Sequence, residues 1–224
     1  MKENLEKIAL SLIDKRLVSF EGPFRFKFHE KHPKAPHSPI KVNLRFPPEG
    51  KLTQESVEEI AKTFYQTICK NQLQYNCVVG VPRAGEPFAE VFSRLAWKPF
   101  LTLQKKEDIF KRRILPIIEG RYQTGWRVLL LDDVVVMADS KFEAIQAIEA
   151  NGLIVAAILI LVDWQHGGRE SLEKAGYTVI PVFSMEELLT FWLRKWRISQ
   201  KKFQEVTSYL QRVRAYFKRQ ETTH

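Results

Sequence analysis

With 224 residues, 45% of them hydrophobic, the chain can bury a substantial core as one medium domain, or a domain plus an extension. No apolar run reaches the roughly 18–20 residues of a membrane-spanning helix, and the charged N-terminus lacks a signal-peptide core. Two cysteines, Cys69 and Cys77, make neither a disulfide framework nor a zinc site, so a reducing cytoplasm fits.

The net charge of +9 is unevenly spread. Between Arg194 and Arg219 nine basic residues face a single acid, Glu205. Such a balance suits anionic small substrates, nucleic acid or a membrane surface.

In chain order, Leu5, Ile8, Leu12 and Ile13 predict an amphipathic N-terminal helix. A Pro- and His-rich stretch, Gly22 to Pro39, follows, in which Phe24, Phe26 and Phe28 alternate as in a short strand. Ser38 to Arg45 alternates likewise. Lys51 to Cys69 reads as a helix with Val57, Ile60, Phe64 and Ile68 on one face. Ser56 with Glu59 forms a possible capping box inside that helix, or marks its start.

Tyr75 to Val81 is a buried strand running into Pro82-Arg83-Ala84-Gly85-Glu86-Pro87 and a helix through Ala96. Phe100 to Gln104 is a third strand. Lys105, Lys106, Glu107, Lys111, Arg112 and Arg113 crowd behind it, among Ile109, Phe110, Ile114 and Leu115, which look packed. Val128 to Leu131 suits a central strand and delivers two carboxylates, Asp132 and Asp133, to its end. After Ser140 a helix carries Phe142, Ile145 and Ile148, with Asn151-Gly152 as its C-cap. Leu153 to Val162 is another apolar strand. Glu170 to Ala175 is a short helix and Tyr177 to Phe183 a last strand. Ser184 caps a further helix. Phe203, Val206, Leu210, Val213 and Phe217 make a narrow apolar stripe on a basic tail helix. That helix docks on the domain, pairs with a second subunit or touches an acidic partner, with docking favoured because charge runs are usually solvent faces.

Strand, acidic pair, tight loop and helix is how open α/β sheets build ligand sites, with the ligand beyond the strand's carboxyl end. The segment Val128 to Ser140 resembles the ribose-phosphate loop of type I phosphoribosyltransferases: apolar strand, two acids, two apolar residues, then Thr-Thr-Gly-Gly-Ser. Ser38-Pro-Ile-Lys-Val-Asn-Leu-Arg45 and Phe24-Arg-Phe-Lys27 are similar to segments of the orotate subfamily. Lys105-Lys106-Glu107 resembles its Arg-Lys-Glu.

The resemblance implies an α/β fold with a mainly parallel sheet flanked by helices. It divides the chain into an N-terminal helix and hood (1–45), a core (46–190) and a basic helical tail (191–224). It implies a reaction: orotate plus phosphoribosyl pyrophosphate (PRPP) giving orotidine 5′-phosphate and pyrophosphate, with Mg²⁺ in an active enzyme. It also implies roles. Arg83, Ala84 and Gly85 would meet the pyrophosphate, with Lys105 assisting. Asp132 and Asp133 would hold the ribose hydroxyls and Ser140 the 5′-phosphate. Lys106 and Lys111, together with Asp132 and Asp133, would be catalytic. Lys27 would touch the substrate unless it is a solvated surface lysine. A homodimer is implied, with a protein partner at the tail as an alternative, no membrane contact and no nucleic acid.

Three departures point to reduced or absent orotate turnover. Val136-Met137-Ala138-Asp139 stands where the family has Thr-Thr-Gly-Gly. Two hydroxyl donors are missing there, and any position needing φ > 0 would carry a Cβ at about 1–2 kcal/mol. The loop after Glu107 lacks the family's His and Gly. Trp164 replaces the arginine that holds the orotate ring and cannot supply its paired donors; it reads as a hydrophobic lid, or less readily as a stacking platform for another base. Asp139 is expected to N-cap the following helix and to fill the anion site itself. The alternative to an orotate phosphoribosyltransferase is an inactive binding, regulatory or scaffold protein on the same fold.

Overall fold

The computed structural model describes residues 3–107 and 112–221. The chain divides into two compact units, the first formed by Met1–Thr53, Trp164–Gly167 and Phe183–His224, the second by Gln54–Asp163 and Gly168–Val182.

The second unit is built on a sheet of order β5-β4-β3-β6-β7-β8. Its strands are β3 (Cys77–Gly80), β4 (Phe100–Glu107), β5 (Arg112–Glu119), β6 (Arg127–Val135), β7 (Ile154–Asp163) and β8 (Val179–Ser184). β3 pairs in parallel with β4 and β6, and β6 with β7; β5 returns antiparallel to β4. Val128 to Leu131 and Ile158 to Val162 are buried without interruption, as suits strands covered on both faces. The helices α2 (Gln54–Asn71), α3 (Glu86–Ala96), α4 (Asp139–Ala150) and α5 (Gly168–Lys174) complete the unit.

The β4–β5 hairpin is a departure from expectation, because a charged loop was read where β5 runs. Pro116 sits in this strand, and a sheet edge is where proline is tolerated. Ile109 and Phe110 lie outside the described residues. β6 also runs further than expected, through both acids to Val135.

The first unit holds α1 (Glu3–Asp14), a two-stranded sheet of β1 (Val18–Ser19) and β2 (Lys41–Val42), a 3₁₀ turn (Lys27–Glu30), α6 (Met185–Arg194) and α7 (Gln200–Glu221). The expected Phe24–Phe28 strand shrinks to one bridge, Phe24 to Ser38, because the chain turns at Lys27. Ser184 and Glu187 form the reciprocal cap that starts α6. Trp192 Nε1 donates to the Ala9 carbonyl at 2.7 Å, tying α6 to α1. The tail stripe docks within this unit: Val206, Leu210, Val213 and Phe217 are buried, while Lys201, Arg212, Lys218 and Arg219 stay exposed. Among the described residues no helix is long and apolar enough to cross a membrane.

Candidate functional site

Two loops of the second unit meet at the carboxyl ends of adjacent strands. After β3, Val81 N donates to the Leu131 carbonyl of β6 at 2.9 Å, and the chain turns through Pro82 to Gly85 into α3. A Cβ at Gly85 would collide with that same carbonyl, so glycine is required there by contact. The left-handed residue of the turn is Arg83 (φ 67), not Gly85 (φ −87). The Arg83 side chain is exposed, whereas its backbone N–H donates to Glu86 Oε2 at 2.8 Å. A turn of this kind offers N–H groups to an anion. Here the chain's own carboxylate has taken one of them.

At the end of β6, Asp132 and Asp133 are both buried. Asp132 Oδ1 accepts from Asp133 N at 2.9 Å, and Asp133 Oδ1 accepts from Val134 N at 2.7 Å. The remaining oxygen of Asp132 forms an ion pair with Lys141 Nζ at 2.5 Å. The same ammonium donates to the Val134 carbonyl at 2.5 Å. Lys141 is 4% exposed. It lies one turn before Ala144 and Ile145, on the helix face that packs inward, so the backbone aims its side chain into the protein. The sequence reading missed Lys141 as a site residue. The available signal was its spacing: positions 141, 144, 145 and 148 are one stripe, and Lys141 is its charged member.

Asp139 is not the N-cap. Ala138 occupies that position with no side-chain cap, and Asp139 is the exposed first residue of α4. None of Val136 to Asp139 has a positive φ. The loop has therefore taken a course without left-handed residues, and the expected Cβ strain does not arise. Its underside is packed: a Cβ at Gly168 would lie 2.7 Å from the Val136 carbonyl oxygen. Ser140 is half-buried in the first turn of α4.

Lys105 and Lys106 sit on β4, paired across the hairpin with Ile114 and Arg113. Successive strand residues face opposite sides, so the two lysines do not converge; Lys105 is half-buried and Lys106 exposed. Lys111 lies outside the described residues. Lys27 and Trp164 belong to the first unit. Lys27 is exposed on the 3₁₀ turn. Trp164 is 1% exposed, its ring edge-on to Phe26 at 5.1 Å, which fits packing rather than stacking on a base.

The acid pair does not fit a divalent cation as it stands. Both Asp132 oxygens are engaged, one of them by an ammonium, and no group of three His, Cys, Asp or Glu side chains suited to a metal occurs among the described residues.

The fold, with these two loops at the carboxyl ends of adjacent strands, is that of the type I phosphoribosyltransferases. Comparison narrows the class. The chain is 30% identical over 134 residues to orotate phosphoribosyltransferase of Pyrococcus abyssi, an alignment covering 60% of this chain and 72% of that protein. It is 31% identical over 170 residues to uridine 5′-monophosphate synthase of Caenorhabditis elegans, covering 74% of this chain. The chain spans about a third of the length of that synthase (33%). The solved structure of Leishmania donovani UMP synthase superposes with a TM-score of 0.74 at 26% identity, over 92% of this chain and 42% of that one. No family profile matches. The chain belongs to the orotate phosphoribosyltransferase family.

Proposed function

We propose that the chain is an orotate phosphoribosyltransferase-like protein whose PRPP site is closed by its own side chains, so that it turns over orotate and PRPP poorly. The ion pair of Lys141 with Asp132 carries this reading. In the family's reaction the acid pair receives the ribose hydroxyls, directly or through Mg²⁺; here an ammonium already occupies one carboxylate. Glu86 supports the same reading, because its carboxylate holds an N–H of the turn that would meet pyrophosphate.

Magnitudes favour closure. Breaking a buried pair costs about 3–5 kcal/mol, and each 1.4 kcal/mol is a factor of ten in affinity. A ligand that must displace Lys141 therefore loses on the order of a hundredfold or more. An open state requires Lys141 to withdraw from Asp132. In that open state Asp132 and Asp133 would orient the ribose while Arg83 and Lys105 balanced the diphosphate charge.

A second reading follows from the same ion pair: a protein that keeps the fold as a binding or regulatory module in the cytoplasm, without turnover. An orotate turnover assay with PRPP and Mg²⁺ separates the two. Slow turnover that rises in Lys141→Val supports the first. Its absence in wild type and variant alike, with both folded, supports the second. Wild-type turnover typical of enzymes, about 10 per second, would overturn both.

A further inference from the structure

The first unit buries a group of polar side-chain atoms that have no hydrogen-bond partner. Trp164 Nε1, both ring nitrogens of His166, the Tyr209 hydroxyl and Arg214 Nη2 are fully buried, and none makes a hydrogen bond. They come from two pieces of chain, the Trp164–Gly167 loop and α7. Ring centroids of Trp164 and His166 are 5.6 Å apart, and those of His166 and Tyr209 5.5 Å. Arg214 Nε donates to the carbonyl of Gln165, between the first two, at 2.7 Å. Buried polar groups are almost always paired, because desolvating them uncompensated is costly. One orphan is an ordinary exception; four adjacent side chains are a constellation.

Their chemistry is one-sided. Indole and guanidinium donate and never accept, and the phenol and imidazole can also donate. Ser38, whose hydroxyl donates to the Ile40 carbonyl at 2.6 Å, neighbours Tyr209, and the phenol makes no hydrogen bond of ordinary geometry. Arg214 is held by two other bonds, Nε to Gln165 and Nη1 to Glu186 Oε1 at 2.8 Å, which fix its fork and leave Nη2 uncommitted. His166 is fixed too, between Gln165 (φ 59) and Gly167 (φ 102).

We propose that Trp164, His166, Tyr209 and Arg214 form a binding site for a small oxyanion, a carboxylate or phosphate group that accepts from all four. The site does not depend on the closure of the PRPP site, which belongs to the other unit.

Binding is linked to a proton. The groups facing His166 are Arg214 and Tyr209 from α7 and His29 from the 3₁₀ turn, with His37 at 4.9 Å from His29. Burial first, then the positive charges of Arg214 and His29, push the imidazole down to about 3. An anion among these groups opposes the field of Arg214 and His29 and raises the proton affinity of His166, so the complex tightens as pH falls.

Isothermal titration of the full chain with sodium phosphate and, separately, sodium formate tests this near pH 6 and pH 8. One saturable site is expected, weaker at the higher pH. Phosphate alone, or formate alone, identifies the source of the oxyanion. Tyr209→Phe should weaken it about fivefold without lowering the ion-free melting temperature, and His166→Phe should remove its pH dependence. Ions condensing on the basic tail would neither saturate nor respond to Tyr209→Phe. No saturable binding of either ion, or binding unchanged in Tyr209→Phe, would overturn the proposal.

Discussion

The two units treat buried polarity in opposite ways. In the second, Asp132, Lys141, Arg83 N and Glu86 satisfy one another at 2.5–2.8 Å. In the first, Trp164, His166, Tyr209 and Arg214 bring polar atoms into the interior and leave them unmade. A site that meets its own needs has little left for a ligand. A site that does not is held at a cost that a ligand can relieve. The loops that identify the family thus belong to the first kind, while the tail helix α7 contributes to the second.

The largest effect should come from breaking the satisfied site. Lys141→Met strands Asp132 in the interior and is predicted to lose about 3–5 kcal/mol of stability in denaturant unfolding. Adding Asp132→Leu should recover most of that loss, because an apolar pair replaces an ionic one. A cycle in which the two losses simply add would mean that the pair is not coupled.

Acid should act on the other unit. The folded His166 imidazole is held at about 3 against an ordinary 6.5. Its folded value is depressed, so the stability contribution is complete above pH 6.5 and fades as pH falls toward 3. The slope is about 1.4 kcal/mol per pH unit over that window in ion-free buffer. His166→Phe should flatten melting temperature against pH between about 4 and 6.5; an unchanged profile would assign the acid sensitivity elsewhere.

Two smaller changes sharpen the contrast. Ser184→Ala removes the reciprocal cap of α6 and should cost about 1 kcal/mol. Tyr209→Phe removes a buried hydroxyl that has no partner and should be neutral or stabilising by up to about 1 kcal/mol without added anion. If Tyr209→Phe cost more than Ser184→Ala, the hydroxyl would be bonded after all.

Much of the fold was legible because its signals are local. Val128–Leu131 is an apolar run too short for a helix, and Leu153–Val162 is an apolar run rich in β-branched residues. The Ser184–Glu187 cap spans four residues and the Asn151-Gly152 stop two, and Gly152 does take φ 72. β5 was hidden because Pro116 and the basic cluster before it mimic a loop; edge position makes both tolerable.

The site was legible as a place and not as a state. Asp132 and Asp133 stand where the motif put them, yet their partner comes from α4, and a lysine ordinarily reads as solvated. Asp139 lost the cap because the helix begins one residue earlier than the cap rule needs, with Ala138 before it. The cluster in the first unit joins residues 164–166 to 209–214, which no spacing rule links.

The most direct test is calorimetric titration of PRPP with Mg²⁺ into the wild-type chain and into the double variant Glu86→Leu, Lys141→Val. Closure predicts little or no heat from wild type and a saturable site in the variant, tighter by about a hundredfold or more. Micromolar PRPP binding by the wild type, unchanged in the variant, would contradict it.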